Sequence, residues 1–373
     1  MRIRSLEAES FRNLEPLRIE PHERFNIFEG SNGQGKTNVL EAIYLLGALR
    51  SFRESKVSAL IQNDTTSAVV RGEIELRGLK RRLGVELVGN ARRAALDGNV
   101  VTRLGEYFGH LHVVVFAPDD LTLTKGAAGG RRRFIDRAIF NVHPSYLDET
   151  RDYLRALKHR NDLLRRSIVD PMLLETFNET LITHGARILE RRMSFLRSFV
   201  PVFTEVFSQI TGGDHVGDMT YQSGVISGEM GSESPPGLEE IRGLFAERIA
   251  AKAQVEQRRG YTIVGPHADD LTLELDGHTA RGQASQGQHR AFALALKIAE
   301  LRCIREATST DPVLLLDDVS SELDESRNQA LMSYLDEAGG QVFVTTTDRR
   351  WIRVHGASRV YGVQGGQVTI SSG

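Results

Sequence analysis

The sequence predicts an α/β fold interrupted by a mainly α-helical lobe, and three observations carry that expectation. Near the start, an apolar strand, Phe25-Asn26-Ile27-Phe28, runs into a glycine-rich turn and then a helical stretch from Val39 to Leu49. In the middle, from Arg131 to about Ile210, the pattern is almost wholly helical. Towards the end, apolar runs return at Val313-Leu314-Leu315-Leu316 and Val342-Phe343-Val344, the pattern of strands buried on both faces. A chain of 373 residues can build more than one sizeable core.

Composition narrows the classes. The net charge is −2, so the chain is not a globally basic nucleic-acid binder, and any anion-binding surface must come from local patches. The single cysteine, Cys303, excludes an intrachain disulfide framework and fits a reducing compartment. Met1 to Glu7 lack the apolar core of a secretory signal. No stretch reaches about 18 uninterrupted apolar residues, so a cytoplasmic location is expected.

Residues 1–29 alternate apolar and polar side chains around Phe11-Arg12-Asn13, which reads as two strands and a turn feeding the strand at Phe25. The turn that follows, Gly30-Ser31-Asn32-Gly33-Gln34-Gly35-Lys36-Thr37, is G-x-x-x-x-G-K-T between a strand and a helix, the context of a P-loop. Glycines let successive N–H groups turn towards phosphate oxygens, and the helix beginning near Lys36 points its positive end at the same anion. Lys36 can reach the β- and γ-phosphates, and Thr37 can hold Mg²⁺. Asn38 completes the candidate binding segment. From Ala68 to Val101 strand patterns suggest appended antiparallel hairpins, with residues 77–82, Arg92-Arg93 and Asp97-Gly98-Asn99 expected in turns. Their arginines are either phosphate contacts or a solvated sheet edge.

Leu111 to Phe116 reads as a buried strand ended by Pro118-Asp119-Asp120. In the helical region, Leu147, Leu154, Asn161 and Ile168 recur every seven residues, interleaved with Leu157 and Leu164, as do Leu174, Leu181, Ile188 and Phe195, with Pro171 between the two sets. A short helical hairpin with this seam is expected, packed as in an ordinary bundle. Arg151, Arg155, Lys158, Arg160, Arg165 and Arg166 are expected on the outside of its first helix, as a solvated face or a DNA contact. Residues 211–237, rich in Gly, Ser and Pro, read as a mobile loop, followed by a helix from about Leu238 to Gln257. Strand patterns resume at Tyr261-Thr262-Ile263-Val264 and at Leu271 to Leu275.

A second constellation follows. Ser285-Gln286-Gly287-Gln288 precedes a long helix, Arg290 to Arg305, and the Ser285/Gln288 spacing is that of a capping box. This is either a well-capped helix or a second phosphate site. Then Leu316-Asp317-Asp318 ends an apolar strand, a Walker B layout in which Asp317 holds the Mg²⁺ shell and Asp318 orients or deprotonates the attacking water. Lys36, Asp317 and Asp318 are the candidate catalytic residues, and Thr37 and Asp317 the metal ligands.

The order of these motifs resembles the ABC-type ATPase head. Ser285-Gln286-Gly287-Gln288 resembles its signature, Ser321-Glu322-Leu323-Asp324 its D-loop, and Thr345-Thr346-Thr347 stands at its switch position. Within that superfamily, Ile3-Arg4-Ser5-Leu6 with Phe11-Arg12-Asn13-Leu14 resembles the SMC-related repair heads. Three further blocks resemble the RecF family: Pro118-Asp119 with Gly126 and residues 131–136, Gly265-Pro266-His267 with Asp269-Asp270, and residues 316–324 with Arg327 and Leu331. Thr124 and Ala268 depart from the family pattern, which usually has an aliphatic residue and Arg there.

The resemblance implies an ATP-binding lobe I of residues 1–118 and 259–373, carrying the antiparallel structure, and an inserted helical lobe II of residues 119–258. It implies two heads closing face to face on two ATP molecules, with Ser285, Gln286, Gly287 and Gln288 of one chain completing the site of the other. It implies binding of duplex or gapped DNA in recombinational repair, replication and the SOS response, with RecO and RecR, to help load RecA. Candidate DNA contacts are Arg81, Arg82, Arg92, Arg93, Arg131, Arg132 and Arg133. Asp318 replaces the Glu of ABC transporters and a Thr replaces their switch His, which points to weak, slow hydrolysis. An ABC transporter subunit is disfavoured by the SMC-like N-terminus, and a small-metabolite kinase by the second constellation.

Overall fold

The computed structural model describes residues 1–226, 236–318, 323, 325–337, 339–352, 354 and 356–371. In chain order the strands and helices are β1 (Arg2–Glu9), β2 (Leu17–Ile19), β3 (Phe25–Glu29), α1 (Lys36–Ala48), β4 (Ser67–Leu76), β5 (Leu79–Val88), β6 (Ala91–Leu96), β7 (Asn99–Val100) and β8 (Val113–Phe116). Then come α2 (Ala128–Val142), α3 (Tyr146–Leu164), α4 (Pro171–Ile210), β9 (Gly217–Gln222), α5 (Leu238–Arg259), β10 (Asp270–Leu275), β11 (His278–Thr279) and α6 (Ala280–Gln283). The chain closes with α7 (Gln286–Thr308), β12 (Val313–Asp317), α8 (Glu325–Glu337), β13 (Val342–Thr346), β14 (Ser358–Gln364) and β15 (Gln367–Ile370). Contacts divide these into two compact units, Met1–Thr122 with Ala293–Gly373, and Leu123–Phe292.

The first unit holds two sheets. One runs β15-β14-β3-β13-β12-β8, parallel except for β15. Its inner strands β12 and β13 are buried at every residue and open on apolar runs because both faces are covered, with polar residues only at their C-terminal ends. The other, β2-β1-β4-β5-β6-β7, is antiparallel, and β4 alternates buried with more accessible, mostly half-buried side chains over most of its length. Its hairpin turns are tighter than expected. Arg77-Gly78 and Asp97-Gly98 have positive φ at both residues, the I′-like geometry that matches strand twist, so Arg81, Arg82, Arg92 and Arg93 belong to strands rather than turns.

The second unit contains the helices and a small antiparallel sheet, β11-β10-β9. Three expectations are corrected here. β9 lies inside the supposed loop of residues 211–237, because all six of its residues pair with β10; residues 227–235 lie outside the described residues. That pairing also binds residues from the expected lobe I range, 259–292, to the helical unit, so the division falls at 292/293 rather than 258/259. Residues 261–264 form no strand; Thr262 is instead bonded through N and Oγ1 to Asn161 Oδ1.

The α3 seam is also one residue out of phase. Its buried face is Tyr146, Tyr153, Ala156, Arg160 and Leu163, with Leu164 of the expected seam also buried, while Leu154 and Ile168 are exposed. The expected seam on the next helix holds at Leu181, Ile188 and Phe195. Arg160, expected outside, is 1% exposed, because its guanidinium pairs with buried Glu256 at 2.7 Å and donates to Asn178 and Thr262.

Candidate functional site

The P-loop joins β3 to α1 with Gly33 and Gly35 at φ 78° and 111°, where side chains are strained. Gly35 is the N-cap of α1, and no side chain caps the helix start. Its leading N–H groups are thus directed at the loop, an arrangement that fits an anion. A Cβ at Gly30 would sit 2.3 Å from the Val363 carbonyl oxygen, so only glycine permits this close approach. Lys36 Nζ donates to the carbonyls of Gly30 (2.6 Å) and Ser31 (3.0 Å), which lays the ammonium along the loop. Burial lowers its pKa, opposed by the charges of Asp318 and Asp317.

The loop is braced from both ends of the chain. Asn38 Nδ2 donates to Asn13 Oδ1 at 2.6 Å, and Gln34 accepts from Gly365 N at its side chain and from Gly366 N at its carbonyl. Asn38 therefore supports the loop through its side chain. Gly366 has φ 85°, and a Cβ there would meet the Asn13 carbonyl at 1.9 Å. Gly366→Ala is expected to destabilise the fold by roughly 2 kcal/mol or more and to weaken nucleotide binding, read by thermal unfolding and titration calorimetry. Arg12 makes two bonds, 2.8 and 2.9 Å, to the carboxylate of Glu41, which is fully buried in α1. The signal for this pair was a lone acid within the apolar run of residues 39–43.

Parallel register brings the acidic strand end to the same place. β12 and β13 pair with Asp317 opposite Thr345. Asp317 Oδ1 accepts from Thr37 Oγ1 at 2.7 Å and from Thr345 Oγ1 at 3.0 Å. Burial raises the Asp317 pKa, and the two hydroxyls oppose that shift. Asp318 adopts φ 53° and donates its N–H to Thr345 Oγ1 at 2.9 Å. Thr345 thus ties both carboxylate residues to the neighbouring strand, a bridge that sequence order alone placed only as a hydroxyl at a strand end. Thr37, Asp317 and Thr345 supply hard oxygen donors of the kind Mg²⁺ takes.

The RecF/RecN/SMC N terminal domain family matches residues 2–372. The DNA replication and repair protein RecF of Myxococcus xanthus is 41% identical over 373 residues, covering 99% of this chain and 97% of its own. The chain belongs to the RecF family. RecF of an Anaeromyxobacter strain is likewise 41% identical, over 99% of both chains. Among solved structures, the recombination mediator protein RecF-ATP in the RecFOR pathway superposes with a TM-score of 0.89 at 30% identity, covering 99% of this chain and 97% of that one. The Smc head domain of Pyrococcus furiosus matches with a TM-score of 0.54 at 17% identity, a likeness of fold. The fold is accordingly that of the ABC-type ATPase head of RecF and SMC proteins. No helix among the described residues is long and apolar enough to cross a membrane.

The segment that resembles the ABC-type signature lies in the second unit. Ser285 N donates to Gln288 Oε1 at 2.7 Å, and Gln288 N donates back to Ser285 Oγ at 3.3 Å, a reciprocal capping box at the start of α7. Ser285 and Gln286 are exposed, and Gly287 and Gln288 half-buried. Of the residues that resemble a D-loop, Ser321, Glu322 and Asp324 lie outside the described residues, while Leu323 is buried.

The arginines expected to meet DNA separate into classes. Arg131 is buried, its guanidinium bonded to Asp270 and to the carbonyls of Leu123 and Gly126, so it is a structural residue rather than a surface contact. Arg132 donates to the Asp269 carbonyl, and only Arg133 of the three is exposed. Arg81 pairs with Asp97 at 2.7 Å and Arg93 with Glu86 at 3.7 Å, Arg92 donates to the Leu49 carbonyl, and Arg82 is exposed.

Proposed function

We propose that this chain is an ATP-binding, DNA-binding protein of recombinational repair and replication, a switch driven by ATP-dependent dimerisation. The observation that carries the reading is the 2.7 Å bond from Thr37 of the P-loop to Asp317 at the end of β12, which unites the two motifs that separate in sequence by 280 positions. Gly30, Ser31, Asn32, Gly33, Gln34 and Gly35 would wrap the phosphates. Lys36 would hold the β- and γ-phosphates, and Thr37 and Asp317 the Mg²⁺. The cation, when bound, offsets the negative charge of the phosphates. Asp318 would orient or deprotonate the attacking water, and its short side chain beside a neutral Thr345 supports weak hydrolysis suited to a switch.

Residues 285–288 would complete the site of a second copy. Each half-site alone is incomplete, so ATP has higher affinity for the closed dimer and hydrolysis withdraws that preference. The unit of residues 1–122 and 293–373 would carry the nucleotide, and the unit of residues 123–292 the signature segment offered to a second copy. Exposed Arg82, Arg93 and Arg133 are the remaining candidates for duplex or gapped DNA. Partnership with RecO and RecR is supported by the RecFOR pathway named for the solved relative, and action on RecA through them, with a cytoplasmic site of action, by the family resemblance.

Ser285→Arg is the test. In sedimentation experiments with ATP and Mg²⁺, the unaltered chain should dimerise and bind duplex DNA more tightly. The arginine variant should bind ATP but remain monomeric. Equal dimerisation of the two would remove Ser285 from the site, and turnover of tens per second would rule out the slow switch.

A further inference from the structure

The signature segment is held by a hydrogen-bond chain that runs out of the capping box. Gln288 Nε2 lies 3.0 Å from Nε2 of His215, and Nδ1 of His215 lies 2.8 Å from Oδ2 of Asp276. Asp276 is itself clamped, its Oδ1 accepting from Val216 N at 2.8 Å and its own N–H donating to the Val216 carbonyl at 2.9 Å. Three elements therefore converge on one imidazole: the turn after α4, the Asp276-Gly277 turn between β10 and β11, and the first turn of α7.

Chemistry fixes the direction of every bond. The backbone N–H of Ser285 can only donate, so the atom it meets on Gln288 is the carbonyl oxygen, and the amide nitrogen faces His215. That nitrogen also only donates, so Nε2 of His215 must be the unprotonated acceptor. The ring proton then resides on Nδ1 and is donated to the Asp276 carboxylate. One tautomer of neutral histidine satisfies the whole chain.

We propose that His215 is a positioning residue for the signature segment, acting through Gln288 to set the orientation of Ser285. The role rests on the reading of Ser285 as the contact to the partner's ATP. Without the acceptor at His215, the Gln288 amide is free to rotate, and the Ser285 N–H loses a fixed partner. The charged or titratable groups around the imidazole are Asp276 at Nδ1 and His278, whose charge bears on Asp276. On α7, His289 follows Gln288, and its pKa is lowered by burial and then by Lys125.

The test uses the full chain with ATP and Mg²⁺. His215→Ala should raise amide exchange at Ser285 about tenfold, the loss of one hydrogen bond, while amides of residues 291–294 stay protected. ATP affinity of the single chain should be unchanged and ATP-driven dimerisation about tenfold weaker. His215→Gln, which offers a carbonyl acceptor in place of the ring nitrogen, should recover both. Unchanged Ser285 exchange in His215→Ala overturns the proposal, as does a His215→Gln variant indistinguishable from alanine. If Ser285→Arg still dimerises, it is the partner-site reading that fails, and the exchange measurement still decides whether His215 positions the segment.

Discussion

Lys36→Ala is expected to lower ATP affinity about a hundredfold, because charge-assisted hydrogen bonds contribute ~1.5–3 kcal/mol each and tenfold is about 1.4 kcal/mol. Lys36 is the cation of the loop, and its Nζ is directed along the Gly30 and Ser31 carbonyls by 2.6 and 3.0 Å bonds. Removing it also leaves the carboxylates of Asp317 and Asp318 without the positive charge whose attraction opposes its desolvation. Titration calorimetry measures the binding, and steady-state phosphate release should fall with it. The fold should persist, since the loop is braced independently by Asn13, Asn38, Gln34 and the 365–366 turn. Retention of full affinity would move the nucleotide away from the P-loop.

Arg160→Met should produce the largest loss of stability, ~3–5 kcal/mol, as expected when one partner of a buried ion pair is removed. Glu256 is fully buried, and its second oxygen accepts from Ile263 N, so the carboxylate has no route to solvent. The unfolding midpoint should drop by roughly 10 °C for a unit of this size. Replacing both residues, Arg160→Met with Glu256→Leu, should recover part of the loss, since no charge is then stranded. Differential scanning calorimetry of the three chains decides this: a shift of under 1–2 °C in the single variant would mean the pair is effectively solvated.

Much of the site was legible because its chemistry is local. A P-loop is a contiguous turn, so Gly30 to Thr37 carried its own glycine spacing, cation and flanking strand and helix. The capping box at Ser285 and Gln288 spans four residues and formed as read, and the apolar strand ending in Asp317 was legible from its unbroken hydrophobic run. Errors arose where the signal was periodic rather than local. On α3, Leu147, Leu154 and Ile168 suggested a heptad seam, yet the helix buries Tyr146, Tyr153 and Arg160 one position earlier. A phase is set by what packs opposite, here Glu256, Thr262 and Asn178 around a guanidinium. β9 escaped notice because its Gly-Asp-Met-Thr-Tyr-Gln sequence is a weak strand that β10 completes by pairing.

Residue order alone carried the glycine-rich turn with its lysine, the carboxylates at the end of an apolar strand, the capped helix that follows Ser285 and the membership of the RecF family. Those features depend on bonds between neighbours along the chain. Tertiary structure decided which distant groups meet. It brought Thr37 to Asp317 and Thr345 across parallel strands, closed the Gly365-Gly366 turn onto Gln34, buried Arg131 and Arg160, and placed His215 beside Gln288. The physical reason is that hydrogen bonds reach about 3 Å, while residues remote in sequence come within that distance only after strand register and helix packing have fixed their positions.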